Sequence, residues 1–141
     1  MAYSAVELSK YIITKCAREN KPISNLQLQK ILYFIQKEYL QKKGVPAFND
    51  PIEAWQFGPV VPRSYYRFCG YGGMPIHTEY VFDIEQNDKN IINPIVDEKC
   101  SLDPWDLVRE THKSGSAWDY IYDNGNGNHH VIPIDLIKLR G

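Results

Sequence analysis

A chain of 141 residues that is 43% hydrophobic and 13% aromatic can build one packed core, and this composition excludes intrinsic disorder as its main state. Its formal net charge of −1 and pI near 6.4 give it no overall field that would draw it to nucleic acid or an anionic membrane. The longest unbroken apolar run, Ile31 to Ile35, falls far short of the roughly 20 residues needed to cross a bilayer.

The first helix signal is at Ser4. Its hydroxyl can cap the helix while Glu7 reaches back to the Ser4 amide, and Tyr3 with Leu8 occupies the staple positions. Ala5, Leu8, Ile12 and Cys16 then share one face until Asn20 and Pro22 end the run. The device repeats at Ser24, with Gln27 as box partner and Ile23 and Leu28 as staple. Leu28, Ile31, Leu32, Ile35 and Tyr39 form a stripe that Leu26, Phe34 and Leu40 widen before Gly44 closes the helix. An apolar arc this wide predicts a central helix over residues 24–43.

After Val45 the chain turns at Pro46, Asn49, Asp50 and Pro51, then alternates from Ile52 to Phe57 as a short strand or extended piece. Gly58 and Pro59 are expected to break the backbone into a stiff extended elbow. Pro62 suits the first position of a short helix carrying Tyr65, Tyr66 and Phe68 and stopped at Gly70. Residues 76–84 read either as extended or as helix, and residues 85–90 as a surface loop. Pro94 is expected to start a helix over 95–100, and Asp103 with Pro104 another through about His112. Ser116 opens a turn or two through Tyr122, residues 124–128 form a Gly/Asn loop, 130–132 is a short extended piece, and 135–139 is a final helical turn. The sum is a single mainly α (α+β) domain over residues 1–141, a compact helical body with a small amount of extended or β structure.

Charge is unevenly spread. Residues 1–46 hold eight Lys or Arg against three Glu, and the remainder holds eight against fourteen Asp or Glu. Helical spacing of the lysines reads as solvated helix faces, with a charged partner surface as the alternative. The three cysteines, Cys16, Cys69 and Cys100, show no CxxC spacing. This argues against a disulfide framework or zinc knuckle and for a reducing cytoplasm. No basic segment followed by an apolar stretch marks a secretory signal, so a cytoplasmic location is expected.

For chemistry, Cys16, Cys69 and Cys100 stand against His77, His112, His129 and His130 without a nucleophile–base context, and adjacent His129 and His130 would point to opposite sides of an extended segment. No phosphate loop, dinucleotide fingerprint or HExxH is present. No catalytic residue, metal or cofactor is expected. The two capped helices invite comparison with a helix-turn-helix unit, but the second begins Leu26, Gln27, Leu28, Gln29 and is apolar over too wide an arc to read bases. Nucleic acid is therefore an unfavoured partner. His112 reads as a core or capping histidine, Trp105 and Trp118 as core, and Trp55, Tyr65 and Tyr66 either as core over the central helix or as surface.

Residues 26–68 carry a specific pattern. Leu28, Gln29, Lys30, Leu32 and Tyr33 form a first block, and Gly44, Pro46, Phe48 and Asp50 a second. Glu53, Ala54, Trp55, Gly58, Pro59, Val60, Val61, Pro62 and Tyr65 form a third. In this order and spacing they resemble the SocA-like Panacea antitoxin domain family, also known as phage-associated GepA-type proteins. Leu107, Thr111, His112 and Trp118 extend the likeness, with Ala117 where the family usually has Pro. The resemblance implies a non-enzymatic protein that binds and neutralises a toxin encoded nearby, with a further option of handing the toxin to an AAA+ protease. The competing classes are a DNA-binding transcriptional regulator and a small uncharacterised enzyme. An adjacent toxin-like reading frame would favour the antitoxin, and an upstream inverted repeat with salt-sensitive binding the regulator.

Rigid aromatic and arginine side chains next to a fixed backbone are the favoured anchors of an interface. Trp55, Phe57, Pro59, Pro62, Arg63, Tyr66 and Arg67 are accordingly the expected partner-binding residues, with Lys10 and Lys15 adding electrostatic steering.

Overall fold

In the computed structural model, which describes residues 2–141, the chain begins with two capped helices, α1 (Ala5–Arg18) and α2 (Asn25–Lys43). Both expected capping boxes form. The Glu7 amide donates to Ser4 Oγ at 3.1 Å while the Ser4 amide donates to Glu7 Oε1 at 3.0 Å, and Ser24 and Gln27 do the same at 3.3 and 2.9 Å. Gly44 ends α2 in the left-handed conformation at φ 70°, which a side chain would oppose. The interhelix link from Asn20 brings Ile23 into an isolated antiparallel bridge with Ile76, the Ile76 amide donating to the Ile23 carbonyl at 2.8 Å.

The remaining elements gather around α2. A hairpin of β1 (Glu53–Trp55) and β2 (Gly58–Val60) leads directly into α3 (Pro62–Phe68) and a 3₁₀ turn at Cys69–Tyr71. An extended stretch then reaches α4 (Gln86–Lys99), α5 (Pro104–Thr111), α6 (Ala117–Tyr122), a second 3₁₀ turn (Asp123–Gly125), β3 (His130–Val131) and α7 (Ile134–Arg140). The sheet order is β2-β1-β3, all antiparallel, with Glu53 paired to Val60 on one side and Val131 on the other. The protein is thus mainly helical with a small three-stranded sheet. α2 packs against α1, α3, α4, α5, α7 and β2, so it is the central helix. Its stripe of Leu28, Ile31, Leu32 and Ile35 is wholly buried, and Ala5, Leu8 and Ile12 of α1, buried as well, belong to the same core.

Three expectations fail, each for a tertiary reason. Residues 86–90, expected as a surface loop, are the first turn of α4. Tyr3 and Tyr39 hydroxyls donate to the two oxygens of Asp88 at 2.7 and 2.5 Å and pin that turn to the core. Pro94, expected to start a helix, lies inside α4. It withholds a hydrogen bond only from the Asn90 carbonyl, on an exposed residue that solvent can reach. Trp105, expected in the core, is 51% exposed because the inward positions of the short α5 are taken by Leu107, Val108 and Thr111. Residues 76–84 take the extended alternative, and Trp118 is buried as expected.

Leu32 and Ile35 sit mid-helix with every side walled by other elements. Truncation of either to Ala should lower the unfolding free energy by about 2 to 5 kcal/mol, the range for a buried cavity that neighbours cannot fill. Urea titration reads this directly, and an unchanged midpoint would mean that α2 is not central.

Candidate functional site

The expected elbow is a tight hairpin. Trp55 pairs with Gly58, leaving only Gln56 and Phe57 in the turn, so the break foreseen at Gly58 and Pro59 is instead the start of a strand. Gly58 has φ +113° and lies so close to its neighbours that a Cβ there would stand 2.7 Å from Thr111 Oγ1 and 2.8 Å from Lys30 Cε. Glycine is required on both counts.

Beneath the hairpin, the first turns of α2 present polar side chains instead of apolar ones. Gln29 accepts from the Val61 amide at 3.0 Å and donates to Asn25 Oδ1 at 2.9 Å and Ser64 Oγ at 3.2 Å. Ser64 in turn shares a hydrogen bond of 2.7 Å with Ser9 of α1, and Asn25 donates to the Tyr65 carbonyl at 3.1 Å. One step along, Lys30 Nζ donates to the Pro59 carbonyl at 3.1 Å. These bonds hold the end of the hairpin and the start of α3 at fixed points on α2. From the other side, Trp118 Nε1 donates to the Trp55 carbonyl at 2.7 Å, and the His129 amide donates to the Ala54 carbonyl at 2.7 Å.

Lys30 is fully buried and makes no ion pair among the described residues. Removing its ammonium from water pushes its pKa down to about 7. His112 caps the C-terminus of α5, and its ring stacks on Trp118 with centroids 3.7 Å apart. Its Nε2 is buried without a partner. Burial first, and the nearby Lys30 charge second, lower its pKa below that of free histidine. The histidine is therefore the core or capping residue expected of it.

Above this base lies an aromatic surface. Trp55 is edge-on to Tyr65 at 4.9 Å and stacks on His129 at 4.4 Å, and Phe57 meets Trp105 edge-on at 5.5 Å. Trp55 is half-buried, and Phe57, Tyr66 and Trp105 are 47%, 61% and 51% exposed. Arg63 and Arg67 are exposed on α3, whose Ser64 and Phe68 point inward, and Tyr65 is half-buried. Pro62 takes the first helical position, half-buried, while Pro59 is buried and acts through its carbonyl as an anchor. Pro59 therefore leaves the set of surface residues. A cavity of about 450 Å³ opens between Trp55, Tyr65, Phe57 and the start of α2, with Lys30 and His129 in its lining. Lys15 does not stand free for steering. Its ammonium pairs with Glu19 and, at 2.9 Å, with Asp97.

Sequence reasoning missed Lys30 as a buried cation, Trp105 as surface, and His129 as the stacking partner of Trp55. The available signal was a lysine and a glutamine set inside a helix apolar on nearly every side. Among the described residues, no group of three or more His, Cys, Asp and Glu could hold a metal ion, and no helix is long and apolar enough to cross a membrane.

The family model described as "Antitoxin SocA-like, Panacea domain" matches residues 28–119. The chain is also 35% identical over 133 residues to Antitoxin SocA of Caulobacter vibrioides (strain NA1000 / CB15N), an alignment spanning 85% of this chain and 70% of that protein. No solved structure matches it significantly. The chain belongs to the SocA-like Panacea antitoxin family, which is regulatory and non-enzymatic. Six of the residues on which the resemblance rests, Gln29, Lys30, Gly58, Pro59, Thr111 and His112, meet under the hairpin.

Two predictions concern this base. Gly58→Ala forces a Cβ into Thr111 and Lys30 at a positive φ and should cost at least about 2 kcal/mol of stability in denaturant unfolding. A depressed folded-state pKa at Lys30 means that the unfolded chain binds more protons between about pH 7 and the lysine's ordinary value, so this group makes stability rise with pH across that window. Below about pH 7 both states are protonated and the slope vanishes. Cys16, whose pKa burial raises, acts oppositely toward alkaline pH. The test is therefore the difference between wild type and Lys30→Met over pH 7 to 9, where the wild type should gain stability relative to the variant.

Proposed function

We propose that this antitoxin neutralises a cognate toxin, encoded nearby, by binding it directly through the hairpin turn and the outer face of α3. The observation that carries the reading is the exposed set Phe57, Tyr66, Trp105, Arg63 and Arg67, gathered on a backbone that α2 holds rigid from below. Large exposed apolar side chains clustered on one face mark interaction sites, and tyrosine, tryptophan and arginine are the usual anchors. Because Asn25, Gln29 and Lys30 are already engaged, little ordering is left to accomplish on docking. Half-buried Trp55 and Pro62 support the face from within.

The start of α2 also speaks against a DNA-reading role, because the residues that would enter a groove are enclosed by the hairpin and α3. The protein acts in the cytoplasm, where its toxin is made.

Tyr66→Ala and Arg67→Ala should each weaken binding to the co-expressed toxin by about 1 to 3 kcal/mol while leaving the melting temperature nearly unchanged. Arg63→Ala should do likewise, since its contact with Asp50 spans 3.9 Å from a largely exposed side chain and contributes little to stability. Wild-type affinity in all three folded variants would move the interface elsewhere. The toxin's lifetime in cells, followed in the same variants, distinguishes simple occlusion from delivery to an AAA+ protease.

A further inference from the structure

The cavity beside the hairpin has aromatic and aliphatic walls from Trp55, Phe57, Tyr65 and Leu26, and its lining includes the lysine Lys30 but no carboxylate. Lys30 uses one of its three N–H donors, on the Pro59 carbonyl, and no acidic side chain among the described residues pairs with it. Buried charges in proteins are ordinarily paired, and this one stands without an acidic partner in the lining of the cavity. Lys30 has no solvent-accessible surface. Its attraction for an anion seated above it therefore acts through protein instead of water, where the same separation gives a several-fold stronger interaction.

From this geometry we infer that the cavity receives the C-terminal residue of a partner polypeptide, its apolar side chain held among Trp55, Phe57 and Tyr65 and its α-carboxylate drawn toward Lys30. A chain terminus carries the carboxylate and a bulky apolar group on one carbon, so one residue satisfies both the walls and the floor. An internal Asp or Glu puts its charge where the apolar group belongs and must route two chain ends out of a space of about 450 Å³. The assignment deepens the toxin-binding reading, on which it rests, by naming the part of the partner that enters the face.

The probe is the dipeptide N-acetyl-Ala-Phe as free acid and as C-terminal amide, titrated at pH 6.5 against the full chain and followed by the shift of the Trp55 indole N–H in NMR spectra. The acid should bind and displace that signal, and the amide should bind at least about tenfold more weakly, the scale of one charge-assisted interaction. Lys30→Met should remove the preference for the acid. If that variant fails to fold, Leu26→Trp, which adds bulk to a wall of the cavity, should abolish binding of both peptides. Equal affinity for acid and amide, no binding of either, or a preference that survives Lys30→Met overturns the assignment. Peptide binding by a chain that does not co-purify with the neighbouring toxin upholds the cavity and rejects the toxin reading. Co-purification undiminished by Leu26→Trp rejects the cavity as the seat of the terminus and leaves the toxin reading intact.

Discussion

The ammonium of Lys30 beneath the Pro59 carbonyl is the constraint on which the hairpin depends. A lysine buried in the middle of a helix face is costly, because its charge loses its hydration and gains here only one neutral acceptor. The return is positional. Lys30 Cε and Thr111 Oγ1 crowd the site of a Gly58 Cβ, so the strand can lie directly on the helix only because glycine stands there. Gln29, one residue earlier, takes the Val61 amide, which is the last free donor before α3 begins. Two adjacent polar side chains of one helix thereby fix both the end of a strand and the start of a helix.

This polar base explains why the aromatic face above it can remain exposed without collapsing inward. The backbone of Trp55 is held by Trp118 and that of Ala54 by His129, and the Trp55 ring is clasped between Tyr65 and His129. Phe57 sits at the tip of a two-residue turn and packs edge-on against Trp105. The turn that carries Phe57 opens into a strand tied down at Pro59 by Lys30 and at Val61 by Gln29. The exposed rings are thus supported by the buried polar groups, which links the stability of the base to the shape of the surface.

Local signals with a period or a cap were legible in the sequence, and those resolved by distant contacts were not. Ser4 with Glu7 and Ser24 with Gln27 announced α1 and α2, and the breadth of the Leu28 to Leu40 arc marked α2 as central. The first turn of α4 is polar along its length and owes its order to Tyr3 and Tyr39, more than 45 residues away, which no local pattern announces. Pro94 misled for the opposite reason, since a strong local rule was outweighed by a helix already held at both ends. In the site, the outward set Arg63, Tyr66 and Arg67 followed from helical spacing, because Phe68 had to turn inward. Lys30 was read with the basic residues of the N-terminal half because burial is a property of what surrounds a side chain. Only the width of the apolar arc around it hinted that this lysine could not reach solvent.

The division into a basic N-terminal half and an acidic remainder acquires a different meaning once the chain is folded. Lys15 of α1 reaches Asp97 of α4 at 2.9 Å with only 12% of its side chain exposed, and Arg18 reaches Glu79 at 2.8 Å. The two halves neutralise each other along the seam where α1 meets the later chain. Two of the eight basic side chains of the N-terminal half are thus taken up by acids of the remainder, and the exposed pair of Arg18 with Glu79 contributes little free energy. What remains for recognition at the hairpin is a pair of outward arginines on α3 and one lysine concealed below Trp55. A partner selected by that arrangement is chosen by aromatic shape first and by negative charge close to the cavity second, since over longer distances the field of a molecule with a net charge of −1 is weak.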